Sequence, residues 1–263
     1  MKYFDSHAHY YDERFSEELT MGVDAFIDTL LSENVSYIVN IAASPKTARL
    51  VVEQAKKHEN MYSAIGIHPS DTRFLYDMES ELADIREMIL DKSNKCVCLG
   101  EIGLDYHYPD TDKEKQMRYF EAQMTMAEEL NIPVCIHDRE SHADVMEVIR
   151  CHPKVRGVLH SFSGSAEMAE ELVKLGWMIS FSGTLTFTNA RKPKEAAARL
   201  PHDMVMIETD CPYLAPHPHR GTLNHSGMLE YTNAALAEIW GISPEECAAL
   251  TERNALDFFG LKA

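Results

Sequence analysis

Short apolar runs alternate with longer amphipathic stretches along the whole chain, and this alternation constrains the fold more than any other feature. Eight runs have the character of β-strands. They lack the polar–apolar alternation of a half-exposed sheet, as expected where helices cover a parallel sheet. The predicted strands cover residues 3–9, 37–43, 62–68, 96–105, 133–137, 157–162, 177–181 and 204–209.

The stretches between these runs carry apolar residues at helical spacing. The clearest helix start is Ser44-Pro45, because serine is a good N-cap and proline suits the first helical position. The predicted helices cover residues 17–33, 78–90, 113–130, 144–150, 166–175 (ended by Gly176), 194–200, 228–240 and 244–259, with one more opening at Ser44. This repeated order predicts an α/β fold, a (β/α)8 TIM barrel, as one domain spanning residues 1–263. An open doubly wound sheet is the alternative.

Overall charge and cysteine content narrow the functional classes. Asp and Glu outnumber Lys and Arg by 42 to 25, which argues against a broad basic surface for nucleic acid. A small site where bound cations and a few basic residues meet phosphate stays compatible with the net charge of −17. The six cysteines form no C-x-x-C pair and are expected to be reduced. Without an apolar run of membrane-spanning length or a secretory signal pattern, a cytoplasmic protein without membrane contact is expected.

Polar residues of metal-ligating types stand at the ends of most predicted strands. Each one alone has an ordinary explanation; Asp210 before Cys211-Pro212, for example, suits an Asx turn. Their recurrence at the same end of successive strands needs another explanation, because a barrel brings those ends together around one mouth. The residues are His7, His9, His68, Glu101, His137, His160 and Asp210.

The chemistry of this set points to bound cations. His7 and His9 are two residues apart on a strand, so both imidazoles face the same side and can reach one ion. Apart from His68, the set offers four imidazoles and two carboxylates, which suit one or two divalent ions of the Zn, Mn or Mg kind. Glu101 can bridge two ions, and Asp210 can ligate one and accept the proton of the attacking water. The set therefore predicts metal-assisted hydrolysis.

Basic and aromatic residues near the strand ends are candidates for substrate contacts. Arg139 follows His137 by two residues, and Arg220 lies in an HPHRG loop after the last strand. Arginine suits bidentate binding of phosphate. Three tyrosines can stack on a base or pack at the rim, and these are Tyr106, Tyr108 and Tyr213.

Several of these residues stand in longer motifs: DSHAH at 5–9, GIHP at 66–69, GEIGLDY at 100–106, HDR at 137–139, HSFSG at 160–164 and ETDCPYL at 208–214. In this order they resemble the signatures of TatD-like metal-dependent deoxyribonucleases, a family of amidohydrolase-type metallohydrolases. SFSG at 180–183 and Asn254 with Phe259 are similar to the family's pattern as well. The resemblance runs through the whole chain, and the combination is specific, whereas His-x-His alone is weak.

The resemblance implies a TIM-barrel exonuclease with two divalent ions (Mg²⁺, Mn²⁺ or Zn²⁺), often acting from the 3′ end of DNA and best on single strands. One ion would be held by His7, His9, Glu101 and Asp210, and the other by Glu101, His137 and His160. Asp210 would act as the base toward a metal-activated water, with Glu101 as the second catalytic residue. His68 and Arg139 would contact the substrate phosphate, with Arg220 as a further candidate.

The loop after the last strand departs from the family's pattern. The family commonly has Asn-Glu-Pro or Asn-Gln-Pro after the Arg-Gly pair, whereas this chain has Leu223, Asn224, His225 and Ser226. Asn224 is retained, but His225 and Ser226 are not the family residues. We expect the departure to affect substrate choice more than metal binding. His225 is expected at the loop surface, with a polar contact to the site as the alternative.

Three functions are compatible with these observations. The first is a metal-dependent deoxyribonuclease, with single-stranded DNA as its partner and 3′→5′ polarity. The second is a metallohydrolase of amides, lactones or small phosphoesters, and the third is a non-catalytic binder of phosphate or nucleic acid. Glu101 stands where some amidohydrolases carry a carbamate-forming lysine, which favours the first over the second. A binder has no need of Asp210 as a proton acceptor, which argues against the third.

Overall fold

Eight parallel strands, each hydrogen-bonded to the next along the chain, form one sheet in the computed structural model, which describes residues 1–262. A helical segment lies between each strand and the next in the chain. The strands are β1 (Tyr3–Ala8), β2 (Val35–Ile41), β3 (Met61–Ala64), β4 (Cys96–Asp105), β5 (Val134–Arg139), β6 (Gly157–Leu159), β7 (Met178–Phe181) and β8 (Val205–Ile207).

Backbone hydrogen bonds join the residues after β8 to β1 and draw the sheet into a barrel. The Asp210 amide donates to the His7 carbonyl at 2.9 Å, and the His9 amide donates to the Cys211 carbonyl at 2.8 Å. Ala8 and Cys211 form a parallel bridge at the same place. The fold is therefore the predicted (β/α)8 TIM barrel, and the open doubly wound sheet is excluded.

The helices surround the barrel. Those within residues 1–262 are α1 (Glu13–Glu18), α2 (Val23–Ser32), α3 (Pro45–Lys57), α4 (Met78–Leu90), α5 (Lys113–Leu130), α6 (His142–Cys151), α7 (Ala166–Lys174), α8 (Arg191–Arg199), α9 (Leu229–Trp240) and α10 (Pro244–Phe259). Ser44 caps α3 as predicted, since its side chain accepts from Thr47 N. Helices α4, α5 and α10 have the predicted bounds, and each starts at a side-chain cap from Asp77, Asp112 or Ser243.

The single helix predicted over 17–33 is wrong. The chain forms α1 and α2 instead, with a break around Gly22, which adopts an extended conformation at the N-cap of α2. Helix α1 starts earlier than predicted because the Asp12 side chain accepts a hydrogen bond from Arg14 N. The apolar spacing continued through the break and therefore concealed it.

Five strands end earlier than their apolar runs predict: β1 and β2 by one and two residues, and three others by two to four. Strand β3 ends at Ala64, β6 at Leu159 and β8 at Ile207. The residues that follow lie outside the regular strands but stay buried. Among them, the amides of His160 and Glu208 still donate to the carbonyls of Ile136 and Phe181 on the neighbouring strands, both at 3.1 Å. Burial therefore extends past the strand ends into the barrel mouth, where the predicted site residues lie.

A layer of apolar side chains fills the barrel below the mouth. Every strand contributes at least one residue to this layer, and α10 closes it with Phe258 and Phe259. The strand residues are Phe4, Val39, Ile41, Ala64, Cys98, Cys135, Val158, Met178 and Met206. The predicted site residues follow the layer residues along the chain and therefore lie toward the carboxyl ends of the strands.

The cysteines lie in the pattern expected of reduced thiols. All six are free, and Cys98, Cys135, Cys211 and Cys247 are buried. No helix within residues 1–262 combines the length and the apolar character needed to cross a membrane.

Candidate metal centre

The barrel mouth gathers all six predicted metal ligands. His7 lies near the end of β1 and His9 directly after it, while Glu101 and His137 lie within β4 and β5. His160 follows β6 by one residue. Asp210 follows β8 in a left-handed backbone conformation with φ of 57°, which Asp tolerates better than most residues. The side chains of His7 and Glu101 are almost fully buried.

The first cluster surrounds the nitrogen atoms of His7 and His9. Their Nε2 atoms are 3.0 Å apart. Glu101 Oε2 lies 3.4 Å from His7 Nε2 and 3.7 Å from His9 Nε2. Asp210 Oδ1 lies 3.8 Å and 3.3 Å from the same two atoms. Ligands about 2.0–2.2 Å from one tetrahedral Zn²⁺ would be about 3.3–3.6 Å from each other, so the spacing suits one ion.

The second cluster surrounds the other oxygen of Glu101. Glu101 Oε1 lies 2.8 Å from His160 Nε2 and 2.9 Å from His137 Nδ1. The two histidine nitrogens are 3.2 Å apart. One carboxylate therefore touches both clusters, one oxygen facing each, which is the arrangement of a bridging ligand.

The hydrogen bonds of His9 support a cation in the first cluster. His9 Nδ1 lies 2.8 Å from the Ile41 carbonyl oxygen, which can only accept, so Nδ1 carries the hydrogen. In the neutral ring the Nε2 lone pair then faces His7 Nε2. This lone pair is available to a cation in the cluster, and imidazole with carboxylate is a donor set that Zn and Mn accept.

Within residues 1–262, three overlapping sets of donor atoms have the spacing needed to hold an ion, with all atoms of a set within 4.8 Å of one another. The sets are His7 with His160 and Asp210, His7 with His9 and Glu101, and His68 with Glu101 and His137. Together they contain the six predicted ligands and one residue predicted as a substrate contact, His68.

The hydrogen bonds of His68 favour a substrate contact over metal ligation. Its Nδ1 accepts from Ser70 N at 3.1 Å, so the hydrogen of the neutral ring is on Nε2. Burial lowers the pKa of His68 to about 3, which keeps the ring neutral. Nε2–H is then a donor at the mouth, 3.5 Å from Glu101 Oε1.

Two further carboxylates, absent from the predicted site, orient the histidines of the second cluster. Glu208 Oε1 lies 3.1 Å from His160 Nδ1, and it also accepts from Ser161 N at 2.9 Å. Asp105 Oδ2 lies 3.3 Å from His137 Nε2. Carboxylates that accept from the far nitrogen of a ligating histidine fix its orientation and raise its basicity. Glu208 lies in the motif ETDCPYL and Asp105 in the motif GEIGLDY, both at strand ends. These positions could have identified them as candidate site residues.

The ionisation of the centre follows from its burial and charge. Burial raises the pKa of Glu101, but the imidazoles of His160, His68 and His7 outweigh that effect and hold the pKa well below its ordinary value. Burial lowers the pKa of His7. At His160 burial lowers the pKa, but the carboxylates of Glu101 and Glu208 outweigh burial and raise the pKa well above its ordinary value. Metal binding requires an ionised glutamate and neutral imidazoles, so a bound cation would displace the proton from this ring.

A close contact between two strands positions His137. Gly103 in β4 has a φ of +134°, and a Cβ atom there would lie 2.1 Å from the His137 carbonyl oxygen. Only glycine allows this approach and this backbone conformation. Gly103 therefore permits β4 and β5 to bring Glu101 and His137 into contact.

The predicted substrate contacts divide into two groups. Arg139, at the end of β5, lines a cavity of about 540 Å³ beside the metal centre, together with His137, His160 and Asp210. We call this space the mouth cavity. Arg220 is farther out and does not line it; its guanidinium lies 4.3 Å from the centre of the Phe187 ring, which does.

The tyrosines also differ in position. Tyr106 is partly buried and donates to Asp144 at 2.7 Å, so it packs at the rim of the barrel. Tyr108 and Tyr213 are about half exposed, and Tyr213 lines the mouth cavity.

The loop that departs from the family's pattern lies beside the centre without reaching it. Asn224 is buried and donates to the carbonyls of Thr209 and Tyr213, which holds the chain after β8. Ser226 donates to the buried Asp5 carboxylate at 2.7 Å. The ring of His225 packs against Phe26 of α2, so His225 does not make the polar contact with the site that was the alternative to a surface position.

Comparison with known proteins agrees with this arrangement. A family model described as TatD related DNase matches residues 4–260. The chain is 38% identical to the metal-dependent hydrolase YabD of Bacillus subtilis over 97% of this chain and 98% of that protein. It is 34% identical to the metal-dependent hydrolase YcfH of Escherichia coli, over 98% and 96% of the two chains. The crystal structure of YJJV, a TatD homologue of Escherichia coli, matches with a TM-score of 0.91 at 26% identity, over 99% and 98% of the two chains.

Proposed function

The chain belongs to the TatD-related DNase family of metal-dependent hydrolases, and from this we propose that it hydrolyses phosphodiester bonds of DNA, removing nucleotides from the 3′ ends of single strands. The observation that carries the proposal is the Glu101 carboxylate, which presents one oxygen to each of two histidine clusters. Two cations sharing this carboxylate would suit a phosphodiester, whose reaction has both an attacking and a leaving oxygen.

The donor atoms divide between two divalent ions, Mg²⁺, Mn²⁺ or Zn²⁺. The first ion would be held by His7, His9, Glu101 and Asp210, and the second by Glu101, His137 and His160. When bound, such ions supply Lewis-acid stabilisation of phosphate oxygens and lower the pKa of water.

Asp210 is placed to take the proton of the attacking water. Burial raises the pKa of its carboxyl, but the hydrogen bond to His9 and the charge of His160 outweigh this and hold the pKa below its ordinary value. Asp210 is therefore ionised at neutral pH and can accept a proton. Its side chain is 16% exposed and lines the mouth cavity, so substrate and water can reach it.

Arg139 and His68 are placed to bind the phosphate. Arg139 lines the mouth cavity and offers a planar fork of donors. His68 Nε2–H points to the same centre from the loop after β3. Both residues thus offer N–H donors, which suit the acceptor oxygens of a phosphate.

The proposal includes one domain spanning the chain and a cytoplasmic location. The family match over residues 4–260 and the continuous barrel support one domain. The six free cysteines support a reducing compartment.

The decisive experiment uses single-stranded DNA labelled at its 3′ end. We expect the purified protein to release nucleotides with Mg²⁺ or Mn²⁺ and not with EDTA. Asp210→Asn should abolish release, whereas Asp257→Asn, an exposed change on α10, should not. Faster release of label from the same strand labelled at its 5′ end instead would contradict the proposed polarity. Turnover of lactones, amides or small phosphoesters without release from DNA would replace the proposal by another hydrolase activity.

A further inference from the structure

A second cavity of about 350 Å³ adjoins the mouth cavity on the side of β7 and β8. It is lined by Arg14, Arg220 and Thr222 among others, and we call it the outer cavity. Phe187, Tyr213 and Leu214 line both cavities and so form the boundary between them. We propose that the outer cavity binds the penultimate nucleotide of the DNA strand while the terminal nucleotide occupies the mouth cavity. This inference rests on the function proposed above.

The boundary carries a stacking platform. The Arg220 guanidinium lies 4.3 Å from the centre of the Phe187 ring, as in a cation–π pair. Within residues 1–262 no carboxylate pairs with Arg220, which is exposed, whereas Arg14 is paired with Glu18 at 2.8 Å. Guanidinium planes and aromatic rings both stack on bases, and a base laid over this pair would extend the stack.

The outer cavity also offers positive charge. Arg14 is held in place by its bond to the Pro212 carbonyl at 3.0 Å and by Glu18. Arg14 and Arg220 therefore face one small space, and no Asp or Glu is among its lining residues within the described chain. On a protein with a net charge of −17 such a space is complementary to a phosphate.

The opposite side of the mouth is a poorer path for the strand. It has a similar pair, with Arg73 lying 4.6 Å from the Phe74 ring. The cavity there measures about 60 Å³ and is lined by Asp110 and Asp112. That space is far smaller than an ordinary ligand pocket, and the carboxylates repel phosphate. The strand therefore leaves the mouth over Phe187, not over Phe74.

The two arginine–aromatic pairs provide a matched test. Arg220→Gln and Phe187→Leu should each lower kcat/KM for a single-stranded thymidine oligonucleotide about tenfold, since one stacked base is lost. Arg73→Gln, which removes the same charge on the other side, should stay within about twofold of wild type. Removing the penultimate base from the substrate should lower wild-type kcat/KM by a similar factor and should not lower that of Phe187→Leu further.

The small diester bis(p-nitrophenyl) phosphate separates this subsite from the metal centre, because it has no second nucleotide. The loss of kcat/KM caused by Arg220→Gln or Phe187→Leu should be several times smaller with this diester than with the oligonucleotide. Equal losses on both substrates, a loss in Arg73→Gln instead, or indifference to the missing base would each overturn the subsite. If wild type cleaves the diester but no DNA, the proposed deoxyribonuclease function fails, and the subsite with it. If wild type cleaves DNA and the variants match it, only the subsite fails.

Discussion

His7 Nε2 and His9 Nε2 lie 3.0 Å apart at the barrel mouth, with Glu101 and Asp210 on either side. This contact makes the pair the most direct test of the first metal position. The variant His7→Ala with His9→Ala should lose at least one ion per chain and stay folded, because the apolar layer below the mouth is unchanged. Metal content by mass spectrometry and far-UV circular dichroism check this. Full retention of metal would remove the pair from the centre.

Glu101 contacts both clusters, so its charge should matter to two ions. Glu101→Gln keeps the shape of the side chain and removes the charge. We expect metal content to fall from two ions per chain to below one, with Tm measured alongside to exclude unfolding. Glu59→Gln, an exposed change before β3, is the control. A variant that kept one tightly bound ion would show that the carboxylate serves a single site.

The bond between Glu208 and His160 predicts a role for a residue outside the ligand set. Glu208→Gln retains an oxygen that can accept from both His160 and Ser161 but removes the charge. The other oxygen, Oε2, has no partner within the described residues, so the amide breaks no bond there. Affinity for the second ion should fall about 10- to 100-fold, measured by competition with a chelator. Unchanged affinity, or an equal loss in the exposed variant Glu167→Gln, would contradict the role.

Ser226 stabilises the buried carboxylate of Asp5 and is one of the residues that departs from the family's pattern. It donates to Asp5 at 2.7 Å and is also bonded to Tyr10 at 2.7 Å. Ser226→Ala should lower the free energy of unfolding by about 1–3 kcal/mol, because a buried charge loses a donor. Urea unfolding measures it, with the exposed Ser32→Ala as control. Equal stability of both variants would show that Asp5 does not depend on this bond.

His142 should make stability depend on pH. Its Nδ1 lies 2.7 Å from Asp138 Oδ2, and this bond raises the pKa of His142 above its ordinary value. The native state thus favours the charged ring. The contribution of this pair to the free energy of unfolding is therefore complete below the pKa of His142 in the unfolded chain, and it is lost as the pH rises through the pKa of His142 in the folded protein. His142→Gln should cost about 0.5 kcal/mol at pH 5.5, given a partly exposed pair, and less at pH 9. An equal or larger cost at pH 9 would contradict this assignment.

The local signals in the sequence were enough for much of the secondary structure. Helices α4 and α10 start where Asp77 and Ser243 can cap them, and caps act over three residues. The break at Gly22 was missed because the same apolar spacing continues through α1 and α2. The strand ends at Ala64 and Ile207 were missed because burial, which the apolar runs report, continues beyond the regular strand, as at Glu208.

The motifs contain Glu208 and Asp105, but sequence spacing does not say which histidine each of them contacts. Glu208 is 48 residues from His160 and Asp105 is 32 residues from His137. Whether a side chain orients a ligand or merely packs near it depends on angles that no motif contains. The same reason applies to His225, whose ring turns to Phe26 and away from the centre.

The sequence by itself determined the order of strands and helices and the types of donor at the strand ends, because both follow from periodicity and from the topology of a closed parallel barrel. Only the tertiary structure decided which atoms meet: Oε1 of Glu101 with His137 and His160, and Oε2 with His7 and His9. It also separated Arg139, which reaches the mouth cavity, from Arg220, which lies over Phe187. These choices depend on how closely strands approach one another, as Gly103 does with His137, and that distance is set by packing across the whole barrel.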